Sequence, residues 1–460
     1  MKQSALSNSY QIAVERMFTL GDELSQTPSH KFDLDHMRVL LAALDHPERR
    51  FPSVLIAGTN GKGSTAATLA SILRASGIKT GLYTSPHLVR INERIRVNGE
   101  QIGDRDFAEL HEKVDFASGK LVESGALPWH PSFFEMMTAI AFEHFGQQHV
   151  DFAVLEVGMG GRLDATNVVE PRVSVITDVS LDHQKYLGDT IGEIAREKAG
   201  IIRSGGVVVT LPQHPEANDV IGNTILNLGA RGVNAVPYVA PVSPGSAGFR
   251  VSDVGSGNAG HAYRYPLAVL GSEILVESKL TGRHQLRNIA LAIASAVELN
   301  EQGLSEITAN SIERGIRETR WPGRFQVIPA RNGWPEIVID VAHNPAGAWA
   351  LRSALSERYE GRRLIFVFGA MRDKAISEMT EILFPLAERV IATRPDNPRA
   401  ASPDEIQQAA ARTGAEIESV VEVARALERA RELAVDGAVI VITGSIYLAG
   451  EAMKLLEIEI

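Results

Sequence analysis

The sequence Gly58-Thr59-Asn60-Gly61-Lys62-Gly63-Ser64 follows the apolar segment Ser53–Ala57 and leads into a stretch of helical period. A strand, a glycine-rich turn and a helix in this order are typical of a phosphate-binding loop, because backbone N–H groups and the helix N-terminus face the anion. Lys62 adds a positive charge, and a hydroxyl such as that of Ser64 can bind Mg²⁺. The stretch predicts MgATP binding; a tight turn without a ligand is the alternative.

Composition limits the class of protein. A chain of 460 residues, 44% of them hydrophobic, is long enough for two or three domains. The net charge of −10 argues against a protein that coats nucleic acid. The absence of cysteine excludes disulfides, thiolate metal sites and cysteine nucleophiles. No signal segment and no apolar run of membrane-spanning length is evident, so we expect a cytoplasmic protein without a membrane partner.

Short apolar segments alternate with longer stretches of helical period, which predicts a mostly parallel sheet covered by helices. The expected strands are Ser53–Ala57, Phe152–Val157, Val173–Thr177 and Val207–Thr210, and the expected helices are Lys62–Ser76, Ser132–Phe145 and Thr190–Arg203. Between Val239 and Ala262, glycine, proline and serine break any period. We expect hairpins and a mobile loop there.

A domain boundary is predicted at Arg320-Trp321-Pro322-Gly323-Arg324, because a second alternation of strands and helices begins beyond it. The helical region before it covers Gln285–Leu299 and Ile307–Arg317, and the strands after it are Ile337–Val341, Leu364–Phe368, Val390–Thr393 and Ala438–Ile442. The prediction is an α/β protein with two domains, 1–320 and 321–460. The first is a P-loop-type ATPase domain with a mostly parallel sheet, and the second is a smaller doubly wound, Rossmann-like domain.

Two carboxylates lie where strands are expected to end. Glu156 comes at the carboxyl end of one strand, and Asp340 comes at the end of another, shortly before His343. Open α/β sheets bind ligands at this edge. A carboxylate such as Glu156 can therefore hold Mg²⁺ there, and Asp340 and His343 occupy a ligand position by the same geometry.

The loop departs from the common GxxxxGK[ST] pattern, because Ile56 replaces the first glycine and Gly63 separates Lys62 from Ser64. In this form it resembles the loop of the dihydrofolate synthase/folylpolyglutamate synthase family, within the Mur ligase superfamily. Further stretches in the family's order extend the resemblance over about nine-tenths of the chain: Tyr83–Leu88, Arg90–Arg94, Phe133–Glu135, Glu156–Asn167, Leu181–His183, Glu197–Gly200, His284–Asn288, Trp321–Phe325, Asp340–Pro345 and Thr443–Leu448.

The resemblance implies two Mg²⁺ sites. The implied ligands are Ser64, Ser85, Glu156, His183 and Lys198, the last as a carbamate. From the residues alone, His183 could instead be a hydrogen-bonded loop histidine, and Lys198 would ordinarily be a solvated helix lysine. Carbamylation requires a neutral amine, which burial or a neighbouring cation favours.

The resemblance also assigns the substrate pockets. It implies a dihydropteroate pocket formed by Ser132, Phe133, Phe134, Glu135, Leu163, Asp164 and Ala165; the two phenylalanines could instead be core residues. It places ATP against Asn288, Arg324 and Asp340, and glutamate against His343 and Ser445. By default, Arg324 would be a surface arginine at a domain junction. Relatives carry an Asp-Leu-Gly-Leu-Glu-Arg-like segment near residues 32–37, where Met37 replaces the arginine and leaves part of the folate site unassigned.

The function implied is that of an ATP-dependent acid–amino acid ligase of folate biosynthesis and one-carbon metabolism. Such an enzyme adds L-glutamate to dihydropteroate and reduced folates through an acyl phosphate, with Lys62, Lys198 and His343 in the catalytic machinery. We expect a monomer that acts on small molecules and not on nucleic acid. The alternatives are a Mur-type cell-wall ligase, a monofunctional folylpolyglutamate synthase, a phosphotransferase kinase and a nucleotide-gated binding module without catalysis.

Overall fold

The computed structural model describes residues 2–21, 34–240, 250–252, 262–435, 437–458 and 460. The stretch Val239–Ala262, predicted as hairpins and mobile loop, lies mostly outside these residues. The α-helices among the described residues of the protein are α1 (Lys2–Thr19), α2 (Leu34–Ala43), α3 (Lys62–Ala75), α4 (Asp104–Glu123), α5 (Phe133–Gln147), α6 (Gln184–Leu187), α7 (Ile191–Ala199), α8 (Pro215–Asn227), α9 (Arg283–Glu301), α10 (Ala309–Glu318), α11 (Pro345–Arg358), α12 (Ile376–Leu383), α13 (Pro403–Ala409), α14 (Val423–Leu433) and α15 (Ile446–Leu455).

The first sheet contains eight strands in the order β4-β3-β2-β5-β1-β6-β7-β8. They are β1 (Ser53–Ala57), β2 (Thr80–Tyr83), β3 (Ile95–Val97), β4 (Glu100–Gln101), β5 (Phe152–Glu156), β6 (Val173–Ile176), β7 (Val207–Thr210) and β8 (Arg231–Asn234). All neighbours pair in parallel except β2 with β3 and β3 with β4. Strand β1 lies between β5 and β6, and every one of its residues is buried. The sequence of β1 is apolar almost throughout because helices cover both faces of this sheet, so that side chains on both sides of the strand are buried.

A small antiparallel sheet follows, in the order β11-β10-β9. Its strands are β9 (Arg250–Ser252), β10 (Ala262–Val269) and β11 (Ser272–Ser278). Apolar side chains of β10 and β11, among them Tyr265 and Val276, join the core that contains α3 and α9. This sheet therefore extends one face of the first sheet.

The third sheet contains six strands in the order β12-β13-β17-β14-β15-β16. They are β12 (Gln326–Ile328), β13 (Ile337–Ile339), β14 (Leu364–Phe368), β15 (Arg389–Ala392), β16 (Ile417–Ser419) and β17 (Val439–Thr443). Only β12 is antiparallel to its neighbour in this sheet. Separate apolar cores cover the two faces, which confirms the doubly wound α/β architecture. The division into domains at 320/321 stays a prediction.

Two close contacts involve helical glycines. In α10, a Cβ added to Gly315 would lie 2.4 Å from the Cα of Ile72 in α3. In α15, a Cβ on Gly450 would lie 1.9 Å from the carbonyl oxygen of Leu88, in the loop after β2. At both places the helix therefore packs directly against the backbone of its neighbour. Helix α15, which covers the third sheet, in this way contacts a loop of the first sheet. None of the helices described is long and apolar enough to cross a membrane.

We expect Gly315→Ala to lower the free energy of unfolding by about 1–3 kcal/mol, because the added methyl group overpacks the contact between α10 and α3. The matched control is Gly119→Ala in α4, where an added Cβ meets nothing within 4 Å. That change should stabilise the protein by about 0.5–1 kcal/mol through helix propensity. Urea unfolding measures both; equal effects would contradict the packing argument.

Candidate active site

The phosphate loop is shaped by glycines. At Gly58, an added Cβ would lie 1.7 Å from Oγ1 of Thr177, and at Gly61, where φ is 89°, it would lie 2.2 Å from Oδ1 of Asn288. Neither position tolerates a side chain, since the chain passes too close to its neighbours. Asn288, predicted to bind the nucleotide, is buried in α9 directly against the loop. Ser64 is buried in the first turn of α3.

The two predicted catalytic lysines meet at one carbonyl group. Nζ of Lys198 donates to the carbonyl oxygen of Gly58 at 2.8 Å, and Nζ of Lys62 donates to the same oxygen at 3.1 Å and to that of Thr59 at 3.3 Å. Burial lowers the pKa of Lys198 to about 7, and the charge of Lys62 acts in the same direction. Lys198 is therefore a buried amine that is partly neutral near neutral pH, not a solvated helix lysine.

Glu156 lies at the end of β5, beside the loop that follows β2. The backbone amide of Ser85 donates to Oε2 of Glu156 at 3.1 Å. Across from them, Arg324 and Trp321 line a small cavity of about 20 Å³ together with Thr84. Burial lowers the pKa of Arg324, while the carboxylates of Asp340 and Glu156 oppose that shift. Arg324 is therefore a partly buried cation close to two carboxylates, rather than an exposed surface arginine.

Asp182 joins the first sheet to the third. Its carboxylate accepts from Nζ of Lys374 at 2.6 Å and from Nδ2 of Asn344 at 3.1 Å, and Nε2 of His343 lies 3.6 Å away. The side chains of Asp182 and Lys374 are each 7% exposed. We call Asp182, Lys374, Asn344 and His343 the Asp182 cluster. It places the predicted glutamate-binding His343 close to the loop that carries His183.

A second bridge runs directly to the phosphate loop. Nδ2 of Asn344 donates to Oδ1 of Asn60 at 3.0 Å, while Oδ1 of Asn344 accepts from the amide of Gly347 and caps α11. Beside these groups, burial lowers the pKa of His183 to about 3. The imidazole of His183 is therefore neutral at physiological pH, which is the form that binds a metal.

The other two predicted site residues at the third sheet, Asp340 and Ser445, accept hydrogen bonds from backbone amides of the protein itself. The carboxylate of Asp340 accepts from the amides of Phe325 and Ala342, each at 2.8 Å, and burial raises its pKa. Ser445 is buried, and its hydroxyl accepts from the amide of Tyr447 at 3.1 Å as the N-cap of α15. Both residues hold backbone in place at the carboxyl ends of β13 and β17.

The first group of predicted folate residues forms a helix cap. Ser132 is the N-cap of α5, and the carboxylate of Glu135 accepts from the amide and hydroxyl of Ser132 at 2.8 and 2.7 Å. Nδ1 of His36 lies 3.0 Å from the other carboxylate oxygen of Glu135, and the His36 ring stacks on Trp129. Burial by itself would raise the pKa of Glu135. The hydrogen bonds with His36 and Ser132 outweigh that effect, so the pKa lies below its usual value.

The two predicted pocket phenylalanines have different environments. Phe133 is buried between the guanidinium of Arg94, 5.1 Å from its ring centre, and the ring of Phe18 at 5.9 Å. Phe134 is only partly buried and packs over Gly158, where an added Cβ would lie 2.5 Å from its ring. Phe134 therefore faces the glycine-rich turn after β5, whereas Phe133 is held in a cation–π stack.

Leu163, Asp164 and Ala165 lie in that turn. Asp164 is buried and accepts from the amides of Met159 and Thr166, each at 3.0 Å. Burial raises its pKa to about 6, although these hydrogen bonds oppose the shift. Ala165 is buried and Leu163 is half-buried. Asp164 thus organises the turn on which the predicted pocket depends.

Sequence reasoning missed Lys374 and His36. Lys374 follows the carboxyl end of β14, which is the same signal that identified Asp340. His36 precedes Met37, the residue noted as a departure from the family pattern; the side chain of Met37 is buried in the core, and that of His36 contacts Glu135. Among the described residues, no group of three or more histidine, cysteine, aspartate or glutamate side chains is arranged to hold a metal.

Family models match two parts of the chain. Residues 133–296 match the Mur ligase middle domain, and residues 323–446 match the Mur ligase glutamate ligase domain. The chain is 34% identical over 428 residues to the dihydrofolate synthase/folylpolyglutamate synthase of Bacillus subtilis, covering 92% of this chain and 95% of that protein. It is 33% identical over 406 residues to the enzyme of the same name from Escherichia coli, covering 87% and 86%.

Solved structures agree with these relatives. A Mycobacterium tuberculosis folylpolyglutamate synthase complexed with ADP has a TM-score of 0.88 at 30% identity and covers 99% of both chains. Escherichia coli FolC in complex with DHPP and ADP has a TM-score of 0.79 at 29% identity and covers 97% of both chains. The chain therefore belongs to the dihydrofolate synthase/folylpolyglutamate synthase family of ATP-dependent ligases, built on Mur ligase domains.

Proposed function

We propose that this chain attaches L-glutamate to dihydropteroate and to reduced folates, with ATP as co-substrate and an acyl phosphate as intermediate. The observation that carries this proposal is the contact between the phosphate loop and the third sheet, through Asn60 with Asn344 and through Asp182 with Lys374. A carboxylate activated beside the loop is thereby close to groups that could hold an incoming amino acid. A phosphotransferase kinase or a binding module has no need of a second set of groups that holds an amino acid.

The proposed reaction has two steps. The γ-phosphoryl group of ATP passes to the carboxylate of the acceptor, while Lys62 and Arg324 neutralise the charge that develops on the phosphate oxygens. The amine of glutamate then attacks the acyl carbon, and phosphate leaves as the amide forms. The buried contacts of the Asp182 cluster exclude water that would hydrolyse the acyl phosphate. We assign the positioning of the amine to His343 and Ser445.

The donor set fits magnesium at the carboxyl end of β5. Ser64, Ser85 and Glu156 offer the oxygen ligands that Mg²⁺ prefers, and His183 is neutral. Lys198 as an amine cannot be a ligand, but as a carbamate it adds two oxygens. Bound Mg²⁺ would supply charge neutralisation for phosphoryl transfer. We propose that these five residues are the ligands of two Mg²⁺ ions.

The proposal extends to the organisation of the protein: two domains, 1–320 and 321–460, in a cytoplasmic monomer. The folate pocket would be formed by Ser132–Glu135 and Leu163–Ala165, with the nucleotide on residues 58–64, Asn288, Arg324 and Asp340. A monofunctional folylpolyglutamate synthase remains the alternative. A phosphate-release assay with dihydropteroate, tetrahydrofolate or a muramyl peptide, each with and without L-glutamate, separates these functions from a Mur-type cell-wall activity.

Glu156→Gln and Lys62→Ala should each lower kcat at least about a hundredfold, because they remove a metal ligand and a phosphate-neutralising charge. Turnover of ATP with dihydropteroate and glutamate measures the loss. Thermal unfolding should show an intact fold. Near-normal turnover in a well-folded Glu156→Gln protein would contradict the metal assignment.

Lys198 should carry a carbamate, because its amine is buried and lies next to a second lysine. Equilibration with ¹³CO₂ should give a carbamate resonance in the ¹³C NMR spectrum of the wild type and none in Lys198→Ala. The variant should lose activity and regain part of it with added short carboxylates. An unmodified amine under CO₂-replete, non-acidic conditions would refute the assignment.

If the enzyme accepts both dihydropteroate and tetrahydrofolate, some variants should lower both activities and others should change their ratio. His343→Ala should depress turnover of dihydropteroate and tetrahydrofolate together, because both acceptors use one glutamate site. Phe134→Leu should change the ratio of the two activities, because the acceptors need not adopt the same pose. Both are measured at saturating ATP and glutamate. Turnover of tetrahydrofolate without any of dihydropteroate in the wild type would reduce the protein to a polyglutamate synthase.

A further inference from the structure

The indole N–H of Trp321 is a buried hydrogen-bond donor beside the phosphate loop. Nε1 of Trp321 is closed off from solvent and has no hydrogen-bond partner among the described residues. Leaving a buried donor unsatisfied costs free energy of folding, so this N–H points to an acceptor atom that binds from outside the chain. The indole carries no acceptor atom of its own, and the group it binds must therefore offer a lone pair, such as that of an oxygen.

Gly63 fixes the position of this indole. A Cβ added to Gly63 would lie 3.0 Å from Nε1 of Trp321, and 3.2 and 3.3 Å from its ring carbons Cζ2 and Cε2. Gly63 is the residue that separates Lys62 from Ser64 and makes the loop depart from the common pattern. The departure has a physical use, because the missing side chain lets the indole lie directly on the first turn of α3.

Trp321 also borders the small cavity at the junction of the first and third sheets. The cavity of about 20 Å³ is lined from three directions, by Thr84 of the loop after β2, by Arg324, and by Ile446 at the start of α15. A cavity of this size holds about one water-sized group. It therefore has room for a single ligand oxygen, and the residues around it are neighbours of those assigned to magnesium, phosphate and glutamate.

The charge of this cavity is positive. The charged groups that line it are two guanidinium groups and one carboxylate, those of Arg96, Arg324 and Glu93. The carboxylate of Glu93 accepts from the amides of Leu88 and Val89, each at 2.8 Å, so it is already bound to the loop after β2. An anionic oxygen in the cavity would meet guanidinium groups and an indole N–H, all of which donate hydrogen bonds and accept none.

We propose that Trp321 is a further catalytic residue, whose indole N–H donates to an oxygen of the γ-phosphoryl group while that group passes from ATP to the acceptor. The inference rests on the proposed function. In this step a bond forms between the γ-phosphorus and the acceptor's carboxylate oxygen as the bond to the β,γ-bridging oxygen breaks, and ADP leaves with the electron pair. Trp321 keeps its proton throughout.

The position of the indole explains why the N–H would act on the rate and not only on binding. During phosphoryl transfer, negative charge is spread over the three equatorial oxygens of the group in flight. A donor that is already fixed needs no reorganisation when this charge develops, so it stabilises the transition state more than the bound ATP. The contact with Gly63 holds Trp321 in that fixed position.

The first test is Trp321→Phe, which removes the N–H and keeps an aromatic ring on Gly63. With saturating ATP and dihydropteroate, we expect the rate of ADP formation in a single turnover to fall about tenfold or more, and the KM for ATP to change by less than about twofold. The matched control is Trp349→Phe in α11, where the side chain is 59% exposed. That variant should keep the wild-type rate, and thermal unfolding should show an intact fold in both.

NMR of the indole N–H separates a hydrogen bond from a packing role. The chain contains four tryptophans, and the ¹⁵N-labelled indole signal that is lost in Trp321→Phe belongs to Trp321. If that variant does not fold, phenylalanine variants of the other three identify the signal by elimination. We expect the Trp321 proton signal to move downfield when the magnesium complex of β,γ-methylene-ATP replaces MgADP, because only the first carries a γ-phosphate. The Trp349 signal should not move.

Three results would overturn the proposal. One is an identical Trp321 signal with both nucleotides, which would leave solvent as the only partner of the N–H. Another is a wild-type single-turnover rate in a well-folded Trp321→Phe protein. The third is a rise in the KM for ATP with an unchanged single-turnover rate, which would limit Trp321 to nucleotide binding.

The two proposals can fail separately. A wild type that turns over no folate acceptor refutes the proposed function, and the NMR comparison of the two nucleotides then still decides the role of Trp321, since it needs no acceptor. Normal turnover of dihydropteroate together with an identical Trp321 signal in both nucleotide complexes keeps the function and refutes the catalytic role of the indole.

Discussion

The buried ion pair of Asp182 with Lys374 holds together the two halves of the site. Neither side chain reaches solvent appreciably, so each charge depends on the other for compensation. Burial alone would raise the pKa of Asp182, but contact with His343 and the charge of Lys374 hold it well below its usual range. Asp182 is thus an anion throughout the physiological range. Removing either partner would leave an uncompensated charge inside the protein, which is far more costly than losing an exposed pair.

Charges of opposite sign face each other across the junction of the sheets. Lys62 and Lys198 lie at the phosphate loop, and the charge of Arg324 is felt together with those of Glu156 and Asp340. Most of these groups are already hydrogen-bonded to backbone, which fixes their positions before any substrate arrives. Fixed charges and dipoles need no reorganisation during the reaction, and this is the main source of electrostatic catalysis.

Local physics allowed much of this arrangement to be predicted from sequence. Strand β1, the phosphate loop and the start of α3 fall where the sequence predicted them, because a buried strand, glycine turns and a helix N-terminus have strong local signals. Lys374 follows the end of a predicted strand, but its pairing with Asp182 could not be predicted, since 192 residues separate the two in sequence. The pattern Ser132-x-x-Glu135 is typical of a helix capping box, and the structure contains one there. The sequence analysis assigned both residues to the folate pocket and did not predict this cap. The helix predicted to continue to Arg203 ends at Ala199, where Gly200 packs against Arg162.

The tight fit of Gly450 on the Leu88 carbonyl has a mechanical consequence. Helix α15 leaves no space for even a methyl group against the loop after β2, and the amide of Ser85 in that loop binds Glu156. A close-packed contact of this kind transmits displacement directly, because no space separates the two surfaces. A displacement of the third sheet would therefore also displace the loop whose Ser85 amide holds Glu156, and so would disturb the surroundings of that carboxylate.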